Sequence, residues 1–143
     1  MARARQVRSR GMTPAVVDTV VVSFLFKNDS RAQLYLPLMR NRDLLVSFMT
    51  EAELEQWILL ANWGADRVRR FRIFMTGFAS VPSSRDLILQ WAGVMVAARA
   101  NGRRIEAADA WIAATTLVYG AALITHNPKD YLGVPNLLVL SCS

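Results

Sequence analysis

The sequence has one cysteine, no hydrophobic run long enough to span a bilayer, and no acid among its first eleven residues. Cys142 stands one residue from the end and excludes an internal disulfide, which suits a reducing compartment. No cysteine-protease context surrounds it. The longest apolar stretches break well before the roughly 20 residues that a transmembrane helix needs. LILQWAGVMVAARA (residues 87–100) comes nearest, but it is interrupted by Gln90 and closed by Arg99, and reads as a buried helix. Internal repeats, linkers and low-complexity segments are absent as well.

What is present suits a folded domain. Of 143 residues, 53% are hydrophobic and 20% charged, which argues against disorder and is enough to bury a core. The net charge of +6 is concentrated in the leader MARARQVRSRG, through Arg3, Arg5, Arg8 and Arg10. Of 17 Lys and Arg, 13 then remain against 11 Asp and Glu, so the body is only mildly basic. The leader has no apolar stretch and is not a secretory signal. A nucleic-acid-binding arm and an organelle presequence are both open to it. The expectation is a disordered tail or a start at Met12, with a single domain over 13–143.

Short apolar runs alternate with longer helical ones. PAVVD (14–18) predicts a buried strand and VVVSFLF (20–26) a helix. DSRAQLYLPLMRN (29–41) reads as a helix capped by Asp29 or Ser30 and kinked at Pro37. DLLVSFM (43–49) predicts a second strand. Thr50 then caps EAELEQWILLANWG, with Glu53 at capping-box spacing and Gly64 as the stop. ADRVRRFRIFMTG (65–77) is a further helix, FASVP (78–82) a strand, and Ser83 or Ser84 caps a long helix ending near residue 100. IEAADAWIAATTLVYG (105–120) is a helix, AALIT (121–125) a strand, HNPKDY a loop or short helical turn, and NLLVL (136–140) a final strand. This alternation predicts an α/β fold with a parallel sheet.

In VVDTVVVSFLFKND (16–29), Asp18 is a lone acid in an apolar run, where burial is costly unless the charge is paired, hydrogen-bonded or metal-bound. In an open parallel sheet, ligand chemistry gathers at the carboxyl ends of the strands. Asp18, Glu53, Asp109 and Asp130 all follow a strand or open a helix at that end. Acids early in helices are favoured by the dipole, so Glu53 or Asp109 taken singly has a structural explanation. Together the four would raise one another's pKa, and a divalent cation with a taste for oxygen, Mg²⁺ or Mn²⁺, resolves the conflict.

From about Ala15 to Leu140 the chain resembles the PIN-domain ribonucleases, specifically the VapC-type toxins of toxin–antitoxin pairs. VVDTVVVSFLF, VSFMTEAELEQW and IEAADAWIAATTLVYGAALITHNPKDY carry the resemblance. It implies a PIN-like three-layer α/β/α sandwich with a central, mostly parallel sheet of four to five strands. It also implies a cytoplasmic endoribonuclease that cuts RNA with Mg²⁺ or Mn²⁺, dimerises, and is inhibited by a cognate antitoxin. Asp18, Glu53, Asp109 and Asp130 map onto the acidic site, with Asp18 and Asp109 as direct metal ligands. Glu53 would bind metal or its water, with a role as general base; Asp130 would hold a second ion or an outer water. Glu51 and Glu55 compete with Glu53, which alone keeps the family's register before Leu54. Thr19, Thr125 and Asn127 map as polar supports. The family usually has a polar residue after Asp-Thr, and this chain has Val20.

Arg103 and Arg104, just before the Asp109 helix, are the RNA-binding candidates, whereas the arginines of RVRRFR read as a solvated helix face. His126 is expected to be an exposed loop residue, and Trp57, Trp63, Trp91 and Trp111 to be core or interface. Two other classes compete. A degenerate PIN domain that binds RNA or a partner without cutting draws on Val20 and is opposed by the four acids. A phosphatase of the haloacid dehalogenase type wants a second Asp where Val20 stands.

Overall fold

A computed structural model describes residues 13–143; the basic leader at 1–12 lies outside them. In chain order the elements are β1 (Ala15–Val17), α1 (Thr19–Lys27), α2 (Ala32–Met39), β2 (Leu44–Ser47), α3 (Phe48–Leu60) and α4 (Ala65–Met75). β3 (Ala79–Val81), α5 (Arg85–Ala100), α6 (Ala107–Val118), β4 (Ala122–Ile124), a 3₁₀ turn (Pro128–Tyr131) and β5 (Val139–Leu140) complete them.

Side chains alternate across a strand, and here both faces are apolar. Val16, Leu45 and Leu123 enter one core cluster, with residues of α5 and α6. Ala15, Val17, Val46 and Ile124 enter the other, with residues of α1, α2, α3 and α4. The result is the expected three-layer α/β/α sandwich. All five strands are parallel, in the order β3-β2-β1-β4-β5. The chain therefore runs outward from β1 on one side and returns to its other side through α5 and α6. That makes the crevice between the carboxyl ends of β1 and β4 the switch point, where open α/β sheets bind ligands.

Three helix ends differ from the sequence expectation. Thr50 is not a cap, because α3 begins earlier: Ser47 Oγ accepts from the Met49 N–H at 3.0 Å. Phe48 and Met49, which look like strand residues, pack on the α5/α6 core from the first helical turn. Glu53 consequently lies in the second turn of α3. Asp29 does not cap α2 directly; its Oδ1 accepts from the Arg31 N–H at 2.9 Å, one residue before the helix begins. Gly64 does not stop α3 but precedes α4 as its N-cap, and Asn62, at φ 53°, makes the left-handed turn between them. Pro37 sits inside α2 without ending it. Ser84 caps α5 as expected, accepting from the Leu87 N–H at 3.2 Å.

Candidate active site

Asp18 leaves β1 and caps α1. Its backbone N–H still donates to Ile124 O at 2.9 Å, as if continuing the sheet, while its carbonyl accepts the first helical bond from Val22. The carboxylate is 6% exposed. Oδ1 accepts from the Thr19 N–H at 2.8 Å, and Oδ2 accepts from Thr125 Oγ1 at 2.6 Å and from the Tyr131 hydroxyl at 3.1 Å. The cost of burying this acid is thus offset by three donors from three segments that the fold alone brings together.

Thr19 links Asp18 to α3. Its Oγ1 lies 2.6 Å from Glu53 Oε1 and 3.0 Å from Thr50 Oγ1. A hydroxyl has one hydrogen, and the shorter contact to the carboxylate takes it, which leaves Thr50 to donate. Glu51 and Glu55 are occupied elsewhere: Glu51 bonds to Ser80 Oγ, and Glu55 pairs with Arg72 at 2.9 Å. Asp109, in the first turn of α6, places Oδ1 at 3.5 Å from the Tyr131 hydroxyl. Asp130 is exposed on the 3₁₀ turn. Asn127 joins through its backbone N–H, which donates to Thr125 Oγ1 at 3.1 Å. Val20, at the start of α1, is 37% exposed. Thr50 and Tyr131 are members of this network that the sequence reading missed. The aromatic residue after Asp130 was visible in the sequence, but not the use of its oxygen.

A family model described as PIN domain matches residues 15–132. The chain belongs to the PIN-domain family. Among curated relatives of this PIN domain, ribonuclease VapC1 of Haemophilus influenzae (strain R2866) is 28% identical over 127 residues, covering 85% of this chain and 92% of the relative. Ribonuclease VapC4 of Mycobacterium tuberculosis is 30% identical over 98 residues, covering 67% and 75%. The fold overlays on VapBC2 from Rickettsia felis, solved with a DNA fragment from its promoter, with a TM-score of 0.78 at 19% identity, covering 90% of this chain and 98% of that one. VapBC-1 from nontypeable Haemophilus influenzae overlays with a TM-score of 0.74 at 23% identity, covering 89% and 96%.

In this PIN domain the acids feel one another. Asp109 has its pKa lifted to about 6, by burial first and then by Asp18, Asp130 and Glu53, with Tyr131 opposing. Burial also raises Asp18, against the pull of Thr125, the Thr19 backbone and Tyr131, and Asp130 adds to the rise. The Tyr131 hydroxyl is pushed far above its ordinary pKa by burial and by Asp18 and Asp109, so it stays a donor. None of the four acids takes part in an ion pair among the described residues. Nor, among those residues, does any group of three or more His, Cys, Asp or Glu stand close enough to hold one ion. Mg²⁺ does not require such a cage, since it binds through one or two carboxylates and keeps several waters. Hard carboxylate oxygens without a counter-charge among the described residues fit it.

Arg103 and Arg104 are exposed in the loop before α6. Arg104 lines a cavity of about 430 Å³ with Arg99, Met95, Val96, Ile105 and Glu106. Gly133 fixes this loop against the 3₁₀ turn: Asn101 Nδ2 donates to Gly133 O at 3.0 Å, and a Cβ on Gly133 would meet Arg103 O at 2.1 Å. His126 is not an exposed loop residue. It is half-buried, with Nδ1 on the Tyr35 hydroxyl and its ring edge-on to Phe24 at 5.1 Å. Three of the four RVRRFR arginines are engaged within the chain, Arg69 with Asp66, Arg72 with Glu55, and Arg67 over Trp63, and Arg70 is exposed. The tryptophans are half-buried and pack in pairs, Trp57 with Trp63 and Trp91 with Trp111.

Proposed function

We propose that this PIN domain is a Mg²⁺- or Mn²⁺-dependent endoribonuclease, the toxin of a toxin–antitoxin pair, acting on RNA in the cytoplasm. One observation carries the reading. Among the described residues four acids stand near one another at the switch point without an ion-pair partner, in a chain that matches proteins named ribonuclease VapC over most of its length.

Asp18 and Asp109 would hold the cation directly, with Glu53 and Asp130 adding a ligand or ordering its waters. When bound, the cation lowers the pKa of water and steadies charge on the phosphorus centre. The Thr125 hydroxyl and the Thr19 N–H hold Asp18, and the Asn127 N–H holds Thr125 in turn. Glu53 engages Oε1 with Thr19, so Oε2 is the atom left to take the proton of the attacking water. Water adds to phosphorus, the bond to the 3′ oxygen breaks, and that oxygen leaves with a proton, giving 5′-phosphate and 3′-hydroxyl ends. Arg103 and Arg104 supply cationic contacts for the RNA backbone. Exposed apolar side chains such as Leu59 and Leu60, each 79% exposed, offer surface for an antitoxin or a second copy.

The test is cleavage of RNA by the purified chain in Mg²⁺ or Mn²⁺. Asp18→Asn and Asp109→Asn should each slow it by about a hundredfold or more, since each removes an anionic ligand. Wild-type rates in both variants would overturn the assigned site. Calorimetry showing no uptake of Mn²⁺ would leave a PIN domain that holds RNA or a partner without cutting.

A further inference from the structure

Among the described residues, the Tyr131 hydroxyl lies against two of the four acids, at 3.1 Å from Asp18 Oδ2 and 3.5 Å from Asp109 Oδ1, and its one hydrogen goes to the nearer, Asp18. The ring is 2% exposed and packs in the α5/α6 core, a task that phenylalanine would perform equally well. The oxygen therefore needs its own explanation.

Counting lone pairs supplies one. A carboxylate offers about four acceptor sites. With Thr125 and Tyr131 on Oδ2 and the Thr19 N–H on Oδ1, Asp18 keeps a single site, on Oδ1. Asp109 has no hydrogen-bonding contact among the described residues besides this long one, so its acceptor sites stay open. Asp18 comes from the end of β1 and Asp109 from the start of α6, and no direct bond joins them. The 3₁₀ turn sends Asp130 outward and Tyr131 inward between them.

We propose that Tyr131 is a positioning residue of the cation site, its hydroxyl setting the spacing of Asp18 and Asp109 and leaving Asp18 to bind through Oδ1 alone. The proposal rests on the reading that these two acids hold the cation. It adds a residue to the site, a tyrosine that acts on the ligands without being one.

The experiment is Tyr131→Phe in the full chain, followed by Mn²⁺ calorimetry, RNA-cleavage kinetics and thermal unfolding. Partners that orient metal ligands are typically worth 10- to 100-fold in affinity or rate. We expect Mn²⁺ affinity to fall about tenfold and kcat to fall with it, with KM for RNA unchanged and unfolding still cooperative. Mn²⁺ affinity within about twofold of wild type would overturn the proposal. So would a variant that no longer unfolds cooperatively, which would make the hydroxyl a structural group. Asp18→Asn and Asp109→Asn, run beside it, separate the two readings. If they lose Mn²⁺ and Tyr131→Phe does not, the positioning role alone falls. If the wild-type chain takes up no Mn²⁺, the cation reading falls and takes the proposal with it.

Discussion

Burial and three neighbouring acids hold Asp109 at a pKa of about 6, against an ordinary value of 3.8. Between those values the folded chain binds more protons than the unfolded one, so stability falls as pH rises through the window. Asp18, also raised, acts in the same direction. The metal-free protein should therefore melt at a higher temperature near pH 5 than near pH 7.5. Asp109→Asn should reduce that difference and raise the melting temperature at the higher pH while slowing cleavage. Scanning calorimetry at the two pH values checks this, and an unchanged pH slope in the variant would remove Asp109 as its source. Saturating Mn²⁺ should offset the loss at neutral pH by occupying the folded state. Asp18 is legible in sequence because a charge among valines needs a reason, and Asp109 only through the topology that brings it to the same end of the sheet. Tyr131 and Thr50 are not, because a hydroxyl looks the same in sequence whether or not anything accepts from it.

At the level of elements, the alternation of apolar runs was enough to identify every strand and helix, since each has to bury a face. Their ends depended on finer competition. Ser47 and Thr50 are both good caps by type, and the choice between them was made by Phe48 and Met49 reaching a core on α5 and α6 that local sequence does not display. Ser47→Ala should thus cost about 1 kcal/mol in denaturant unfolding, the usual loss for a helix cap. A stability equal to wild type would show that the Met49 N–H needs no such partner. The capping box expected from Thr50 and Glu53 does not form, and both side chains turn instead to Thr19, which is how a helix that only flanks the sheet delivers an acid to the crevice. His126 was misjudged for a related reason: its partners Tyr35 and Phe24 are about a hundred residues away in sequence.

The whole molecule adds a constraint that none of its elements shows. Gly133 lets the turn carrying Asp130 and Tyr131 press against the loop carrying Arg103 and Arg104. Gly133→Ala should destabilise the fold by about 3 kcal/mol, since the added carbon meets backbone rather than a side chain that can swing away. Equilibrium unfolding measures it, and a loss below about 1 kcal/mol would mean the loop yields. The parallel pairing of β1 with β4 reaches further still, with Thr125 joining Asp18 across 107 positions of sequence. Such distant pairings form slowly, after the intervening chain has been closed into place. A polypeptide emerging from the ribosome carries Asp18 for 107 residues before Thr125, and 113 before Tyr131, can be set against it. The centre is thus withheld by the order of manufacture: a cell making this protein meets the finished acidic crevice only after the turn that carries Tyr131 has been made.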